Sequence, residues 1–92
     1  MWRRQKPCSA GTRSPRHVVL YTRAGCHLCE SALRLLQAEQ TRCPFTLEIV
    51  DVDSQADLAA EHGESVPVVA IDGRVRFRGQ VNPVLLRRVF RD

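Results

Sequence analysis

The feature that most restricts this 92-residue chain is a junction near its first third. Val18-Val19-Leu20-Tyr21 runs into the turn Thr22-Arg23-Ala24-Gly25, and a helical stripe begins directly afterwards at Cys26. A short β-branched and aromatic run bounded by a turn reads as a buried strand. Leu28, Ala32, Leu33, Leu35 and Leu36 then recur at helical spacing among strong helix formers, giving a helix from Cys26 to about Gln40. A strand that hands over directly to a helix opens a crossover unit. In a chain this short, the rest of the fold has to be built around that unit.

The remaining segments supply it. Pro44 stops the helix. Phe45 to Asp51 alternates Phe45, Leu47 and Ile49 against Thr46 and Glu48, which predicts a second strand. Ser54 is a cap candidate for a short helix, with Asp57 three residues on, running to His62 and ended by Gly63. Val66 to Ile71 is a third strand. Asp72-Gly73 is a two-residue hairpin turn, and Val75 to Arg78 returns as a fourth strand. Asn82-Pro83 caps and starts a last helix, with Val84, Leu85, Val89 and Phe90 expected on its inner face. The helical crossover makes the first two strands parallel with a right-handed connection, and the hairpin makes the last two antiparallel. The expected architecture is α/β, order βαβαββα, a four-stranded mixed sheet with helices on both faces.

Hydrophobic residues make up 43% of the chain and charged residues 26%, a globular rather than a disordered mix. No apolar run approaches the roughly 20 residues of a spanning helix, and no internal period recurs. The net charge of +4 is unevenly placed. Residues 1–16 carry five basic and no acidic residues, whereas residues 17–92 carry nine arginines against ten acids. Residues 1–16 are thus read as a disordered basic tail, with the domain starting at His17. The tail lacks the apolar stretch of a secretory signal. Its Arg-rich, acid-free composition fits a mitochondrial presequence, but Pro7, Gly11 and Pro15 oppose the helix a presequence forms. A cytoplasmic monomer without nucleic-acid or membrane partners is the expectation. Phe45, Phe77 and Phe90 lack the basic interleaving that base stacking uses.

Cys26-His27-Leu28-Cys29 occupies the strand-to-helix junction. A cysteine at a helix N-terminus faces unpaired amide N–H groups and the positive end of the helix dipole, both of which favour thiolate, the species that attacks disulfides. The spacing sets the second sulfur one turn along the same face. Cys26 at the exposed end is the expected nucleophile and Cys29 the resolving thiol. His27 and Arg23 are nearby cations that favour thiolate further. Such a pair in a strand–helix–strand context reads as a redox dithiol. Glu30 stands where a c-type haem motif requires histidine. Cys8 and Cys43 lack the paired spacing of a zinc site, and His17 and His62 are far apart. A carrier of metal or of an iron–sulfur cluster stays open as an alternative, as does an interaction module with an incidental dithiol. Val66-Pro67 has two readings: a trans proline opening a strand, or a cis bond that brings the Val66 backbone beside the dithiol, where it pairs with a substrate strand.

Tyr21-Thr22-Arg23-Ala24-Gly25-Cys26-His27-Leu28-Cys29 resembles the active-site segment of glutaredoxins, and Ser65-Val66-Pro67 resembles their Thr-Val-Pro motif, which carries a cis proline. The likeness spans about residues 17–91 and is greatest to short glutaredoxin-like proteins with Cys-His-Leu-Cys. It implies a thioredoxin-like, glutaredoxin-type fold over 17–92 and a thiol–disulfide oxidoreductase of cell redox homeostasis. Cys26 and Cys29 are its catalytic pair, Arg23, His27, Val66 and Pro67 its substrate-binding residues, and it needs no cofactor or metal. Arg23 falls where many glutaredoxins keep a lysine that meets the glutathione glycine carboxylate. The chain also departs from the pattern. His27 and Leu28 replace the usual proline and tyrosine, Gly79 stands without a second glycine, and Gln80, Val81 and Asn82 offer no acid for the glutathione amine. Substrates are expected to be disulfide-containing proteins or low-molecular-weight thiols, with glutathione a weak partner.

Other residues keep structural readings. Cys8 is an oxidisable tail cysteine, and Cys43 a packing residue. His62 is read as a charge partner for its helix C-terminus. Arg74, Arg76 and Arg78 are read as one solvated strand face.

Overall fold

The computed structural model describes residues 17–91. The expectations for residues 1–16, namely the disordered basic tail, its presequence-like composition and the oxidisable Cys8, lie outside the described residues. Strand β1 is His17–Thr22, helix α1 His27–Arg42, strand β2 Thr46–Asp51, helix α2 Ala56–His62, strand β3 Val68–Ile71, strand β4 Arg74–Arg78 and helix α3 Pro83–Arg91. A 3-10 turn, Val52–Ser54, lies between β2 and α2. The sheet order is β2-β1-β3-β4. β1 runs parallel to β2, β1 antiparallel to β3, and β3 antiparallel to β4. This is the expected mixed four-stranded α/β arrangement.

The strands alternate their side chains between two covers. Val18 and Leu20 of β1 and Val69 and Ile71 of β3 point to one face, where they pack with Ala32 and Leu36 of α1 and Leu86 and Phe90 of α3. Val18, Leu20, Leu36, Val69, Leu86 and Phe90 are all at most 1% exposed. Each such aliphatic or aromatic side chain contributes roughly 1.5–3 kcal/mol on burial. Phe45 stacks on Phe90 with centroids 4.8 Å apart, closing the end of this layer. Cys43 belongs to the same cluster, its sulfur 3.5 Å from the Phe90 carbonyl oxygen. Tyr21 faces the opposite side, and there His62 at the end of α2 lies against it, centroids 4.6 Å apart. Helices therefore cover both faces.

Several local expectations are corrected. The cap of α2 is Gln55, which makes no side-chain cap bond. Ser54 is consumed by the 3-10 turn, where its hydroxyl donates to the Asp51 carbonyl at 2.6 Å and the Asp51 carboxylate accepts the Asp53 N–H at 2.9 Å. These local bonds outcompete helix capping. β3 begins at Val68, two residues later than expected, because Pro67 has no N–H to give a ladder. On α3, Phe90 is buried and Val89 packs against the core as expected, but Leu86 takes the other inner position, whereas Val84 and Leu85 are 66% and 47% exposed. Val81, just before the helix, is buried and belongs to the core cluster. The Asn82 cap and Pro83 at the first helical position stand as expected: Asn82 Oδ1 accepts the Val84 and Leu85 N–H groups at 2.8 and 3.0 Å. Ile49 is exposed because β2 is an edge strand. The β4 arginines do not share one face. A register shift leaves Val69 opposite Phe77 but Ala70 opposite Val75, so Arg76 is bulged out and Arg74 and Arg78 fall on opposite faces. His62 stands in the last turn of α2, as expected of a partner for that helix end, but it is 6% exposed and lies inside the fold.

Candidate active site

The sheet brings its chemistry to one end. Thr22 pairs with Asp51, Tyr21 with Val68, and Val68 with Arg78. The chain thus leaves β1 toward Cys26, leaves β2 into the Val52–Ser54 turn, enters β3 from Pro67 and leaves β4 into Gly79, all at the same edge of the layer. Four loops converge there because parallel and antiparallel neighbours alternate around β1.

The β1–α1 loop turns at Gly25, whose φ of +77° is open to glycine at no steric cost. Cys26 follows as the N-cap of α1, with extended backbone. Its N–H donates to the Arg23 carbonyl at 3.3 Å and its own carbonyl accepts the Glu30 N–H at 3.2 Å. The Cys29 N–H donates to Cys26 Sγ at 3.1 Å. A sulfur thus takes the place that a serine or aspartate oxygen takes at ordinary helix starts. Cys26 and Cys29 are paired as a disulfide, with Cα atoms 5.2 Å apart. Cys26 is partly exposed and Cys29 is 4% exposed. His27 and Leu28 between them face solvent, Leu28 at 49%.

The segment before β3 comes to the same end of the sheet, since Tyr21 pairs with Val68. The Val66–Pro67 peptide is cis, and Pro67 is among the fully buried side chains. Gly79, at φ +79°, donates its N–H to both the Ser65 and Pro67 carbonyls at 2.8 Å. These bonds fasten the turn on either side of Val66 and do not use the Val66 backbone.

Arg23 is held inside the chain. Its Nε and Nη2 donate to Asp53 Oδ2 and Oδ1 at 3.0 and 2.9 Å, and Nη1 donates to the Gly63 carbonyl at 3.0 Å. Through Arg23 the dithiol loop is tied to the turn after β2 and to the end of α2. The hydrogen bond from Arg23 holds the Asp53 carboxyl below the ordinary carboxylate range, and the same bond raises the Arg23 guanidinium. Beside this clamp, His62 Nδ1 is buried with no hydrogen-bond partner. Asp53, Gly63 and the Tyr21–His62 contact were not singled out as parts of a site from the sequence. Among the described residues, no group of three or more His, Cys, Asp or Glu side chains is arranged to hold a metal ion.

A model of the glutaredoxin-like domain (DUF836) family matches residues 17–90. The chain belongs to this family. The chain is similar to the uncharacterized proteins Rv0508 of Mycobacterium tuberculosis and Mb0520 of Mycobacterium bovis, each 36% identical over 75 residues, covering 76% of this chain and 77% of the relative. The glutaredoxin-like fold also aligns with protein Ne2328 of Nitrosomonas europaea, solved by NMR. The TM-score is 0.72 at 25% identity, over 88% of this chain and 98% of that one. The X-ray structure of protein XcR50 from X. campestris aligns at TM-score 0.66 and 29% identity, over 77% and 91% of the two chains. Glutaredoxin grx-1 of Archaeoglobus fulgidus shares the fold at TM-score 0.59 and 20% identity, over 82% and 86%. Within this family frame the disulfide-paired Cys26 and Cys29 at a helix start are compatible with redox chemistry.

Proposed function

We propose that this glutaredoxin-like chain is a small thiol–disulfide oxidoreductase acting through Cys26 and Cys29. The observation that carries the reading is the bond from the Cys29 N–H to Cys26 Sγ at the first turn of α1, with the two cysteines paired as a disulfide. In the reduced protein the same N–H and the helix dipole favour a thiolate at Cys26. That thiolate attacks one sulfur of a substrate disulfide. The substrate S–S bond breaks, a mixed disulfide forms, and the departing thiolate takes a proton from solvent. Cys29, after losing its proton to solvent, attacks Cys26 Sγ, re-forming the Cys26–Cys29 bond and releasing the second substrate thiol. The substrate gains two electrons and the cysteine pair loses two. An external dithiol returns the pair to thiols.

The exposed His27 and Leu28 and the Val66 backbone form the docking edge for a protein or low-molecular-weight disulfide, pairing like an added strand. Glutathione is a weak partner in this reading. Asn82, in the loop where an acid is needed for the glutathione amine, has its side-chain oxygen engaged by two backbone N–H groups. The protein works as a monomer in a reducing cytoplasm. The described residues contain no helix long and apolar enough to cross a membrane.

The test is trapping. A Cys29→Ser protein, incubated with a disulfide-bonded protein such as insulin, accumulates a covalent adduct through Cys26 that dithiothreitol releases. Absence of any adduct, together with no turnover of insulin by the wild-type protein, would overturn the proposal.

A further inference from the structure

Arg23 lies three residues before Cys26 in the same turn, and its side chain is 38% exposed. A cation so placed would ordinarily attract an anionic substrate to the dithiol. Here it faces the Asp53 carboxylate with both oxygens engaged, and its remaining terminal nitrogen is bonded to the Gly63 carbonyl. The fit is specific on the other side too: a β-carbon at Gly63 would lie 2.8 Å from Arg23 Nη2, so glycine leaves the room that the guanidinium occupies. Asp51 and Glu64 are also close enough to act on Arg23 electrostatically. One cation therefore stands among three acids.

We propose that Asp53 sets which disulfides the Cys26–Cys29 pair accepts, by engaging Arg23 internally and withholding that cation from anionic substrates. This rests on the oxidoreductase reading above and adds a substrate class to it. Neutral disulfides, and protein disulfides that dock through backbone and apolar contacts, are accepted. Small disulfides bearing free carboxylates are disfavoured, because they meet a surface that is net negative around Arg23. Asp53 touches neither sulfur. It is a positioning residue for Arg23, and it acts on binding rather than on the exchange step. Its 48% exposed carboxylate leaves the pair open to solvent, so removing the charge frees Arg23 without opening the core.

The experiment uses reduced full-length protein in single turnover, with no added reductant. Protein is mixed at pH 7 with excess glutathione disulfide, which is anionic, or bis(2-hydroxyethyl) disulfide, which is neutral. Samples are quenched with acid, and the Cys26–Cys29 bond is measured by mass spectrometry. The wild type reacts with both, with poorer saturation by the anionic disulfide. Asp53→Asn raises the efficiency with glutathione disulfide about tenfold relative to the neutral one, the scale of one charge-assisted hydrogen bond. The gain lies in the half-saturating concentration and not in the limiting rate. It disappears in about 1 M salt, where charges are screened within a few ångströms. It is also absent from the Arg23→Gln, Asp53→Asn double variant. Asp53→Ser repeats the test if the asparagine variant loses its far-ultraviolet circular dichroism. An unchanged ratio in a folded variant, equal changes with both disulfides, or loss of the fold in both variants would each overturn the proposal. A wild-type protein oxidised by neither disulfide would instead overturn the oxidoreductase reading itself.

Discussion

Gly63 and Arg23 are fitted to each other: the glycine carbonyl accepts from Nη1 at 3.0 Å, and the space where a β-carbon would stand is taken by Nη2. The same β-carbon would lie 2.5 Å from the Ala59 carbonyl oxygen. The backbone at Gly63 is ordinary right-handed helix, with φ −54° and ψ −35°, so alanine is tolerated conformationally and excluded by crowding alone. Gly63→Ala should therefore destabilise by about 1–3 kcal/mol, the range of overpacking. Urea unfolding of the two proteins checks it. An alanine variant as stable as the wild type would mean that Arg23 moves aside freely and is not clamped.

The phase of α3 makes a second prediction. Leu86 is 1% exposed and packs in the core, while its neighbour Leu85 is 47% exposed. Leu86→Ala should cost about 2–5 kcal/mol, and Leu85→Ala at a surface position about 0.5 kcal/mol or less. Equal losses in thermal or urea unfolding would contradict the helix rotation described above.

These two cases show where the sequence was legible. Strand β1, the turn at Gly25, the helix start at Cys26 and the Asp72-Gly73 hairpin each rest on local chemistry within a few residues, and each is in place. Asp72 and Gly73 have φ values of +51° and +86°, the two left-handed residues that such a hairpin demands. The rotation of α3 was not legible, because Val81, Val84, Leu85, Leu86, Val89 and Phe90 give two overlapping apolar arcs. Only packing against Leu36 and Val69 selects between them. The Arg23–Asp53–Gly63 clamp joins positions 30 and 40 residues apart, and a single sequence carries no signal for such a pair. The burial of His62 has no local signal for a similar reason. Its partner, Tyr21, lies on a strand 41 residues earlier.

That histidine is informative because its Nδ1 is buried without a partner, while its ring lies against Tyr21. An unpaired buried nitrogen opposes folding by about 1–3 kcal/mol, whereas the ring contact favours it. His62→Phe keeps an aromatic ring and removes Nδ1, along with Nε2, whose carboxylate neighbour is the exposed Glu61 at 4.0 Å. It should leave stability unchanged or raise it, while His62→Ala should lower it. Unfolding midpoints of the two variants separate the terms, and a strongly destabilised phenylalanine variant would show that the nitrogen is satisfied in solution.

The Arg23–Asp53 pair predicts an acid dependence of stability with a definite sign. Asp53 is lowered in the folded protein, first by the hydrogen bond from Arg23 and also by its charge, against an opposing effect of burial. A carboxyl lowered on folding stabilises the native state above its unfolded value, near about pH 4, and that contribution is lost as pH falls through the folded value below it. Asp53→Asn should therefore melt below the wild type at pH 7, and the two melting curves should converge as pH falls below about 4. Both groups are substantially open to solvent, so the difference should shrink in salt. A gap that is constant from pH 7 down to acid would assign the loss to packing rather than to charge.

The last prediction concerns which sulfur reacts. Cys26 is partly exposed and receives the Cys29 N–H at the start of α1, whereas Cys29 lies inside the first turn at 4% exposure. Exposure and the helix N-terminus both favour Cys26, and neither favours Cys29. Limited iodoacetamide treatment of the reduced protein, read by peptide mass mapping across pH, should modify Cys26 first. Its labelling should persist to lower pH than that of Cys29, because the thiolate is the species that alkylates. The Cys29→Ser variant should keep this reactivity, since the serine backbone N–H still reaches Cys26 Sγ. The Cys26→Ser variant should label slowly through the shielded Cys29. Preferential modification of Cys29 near neutral pH would reverse the roles of nucleophile and resolving thiol.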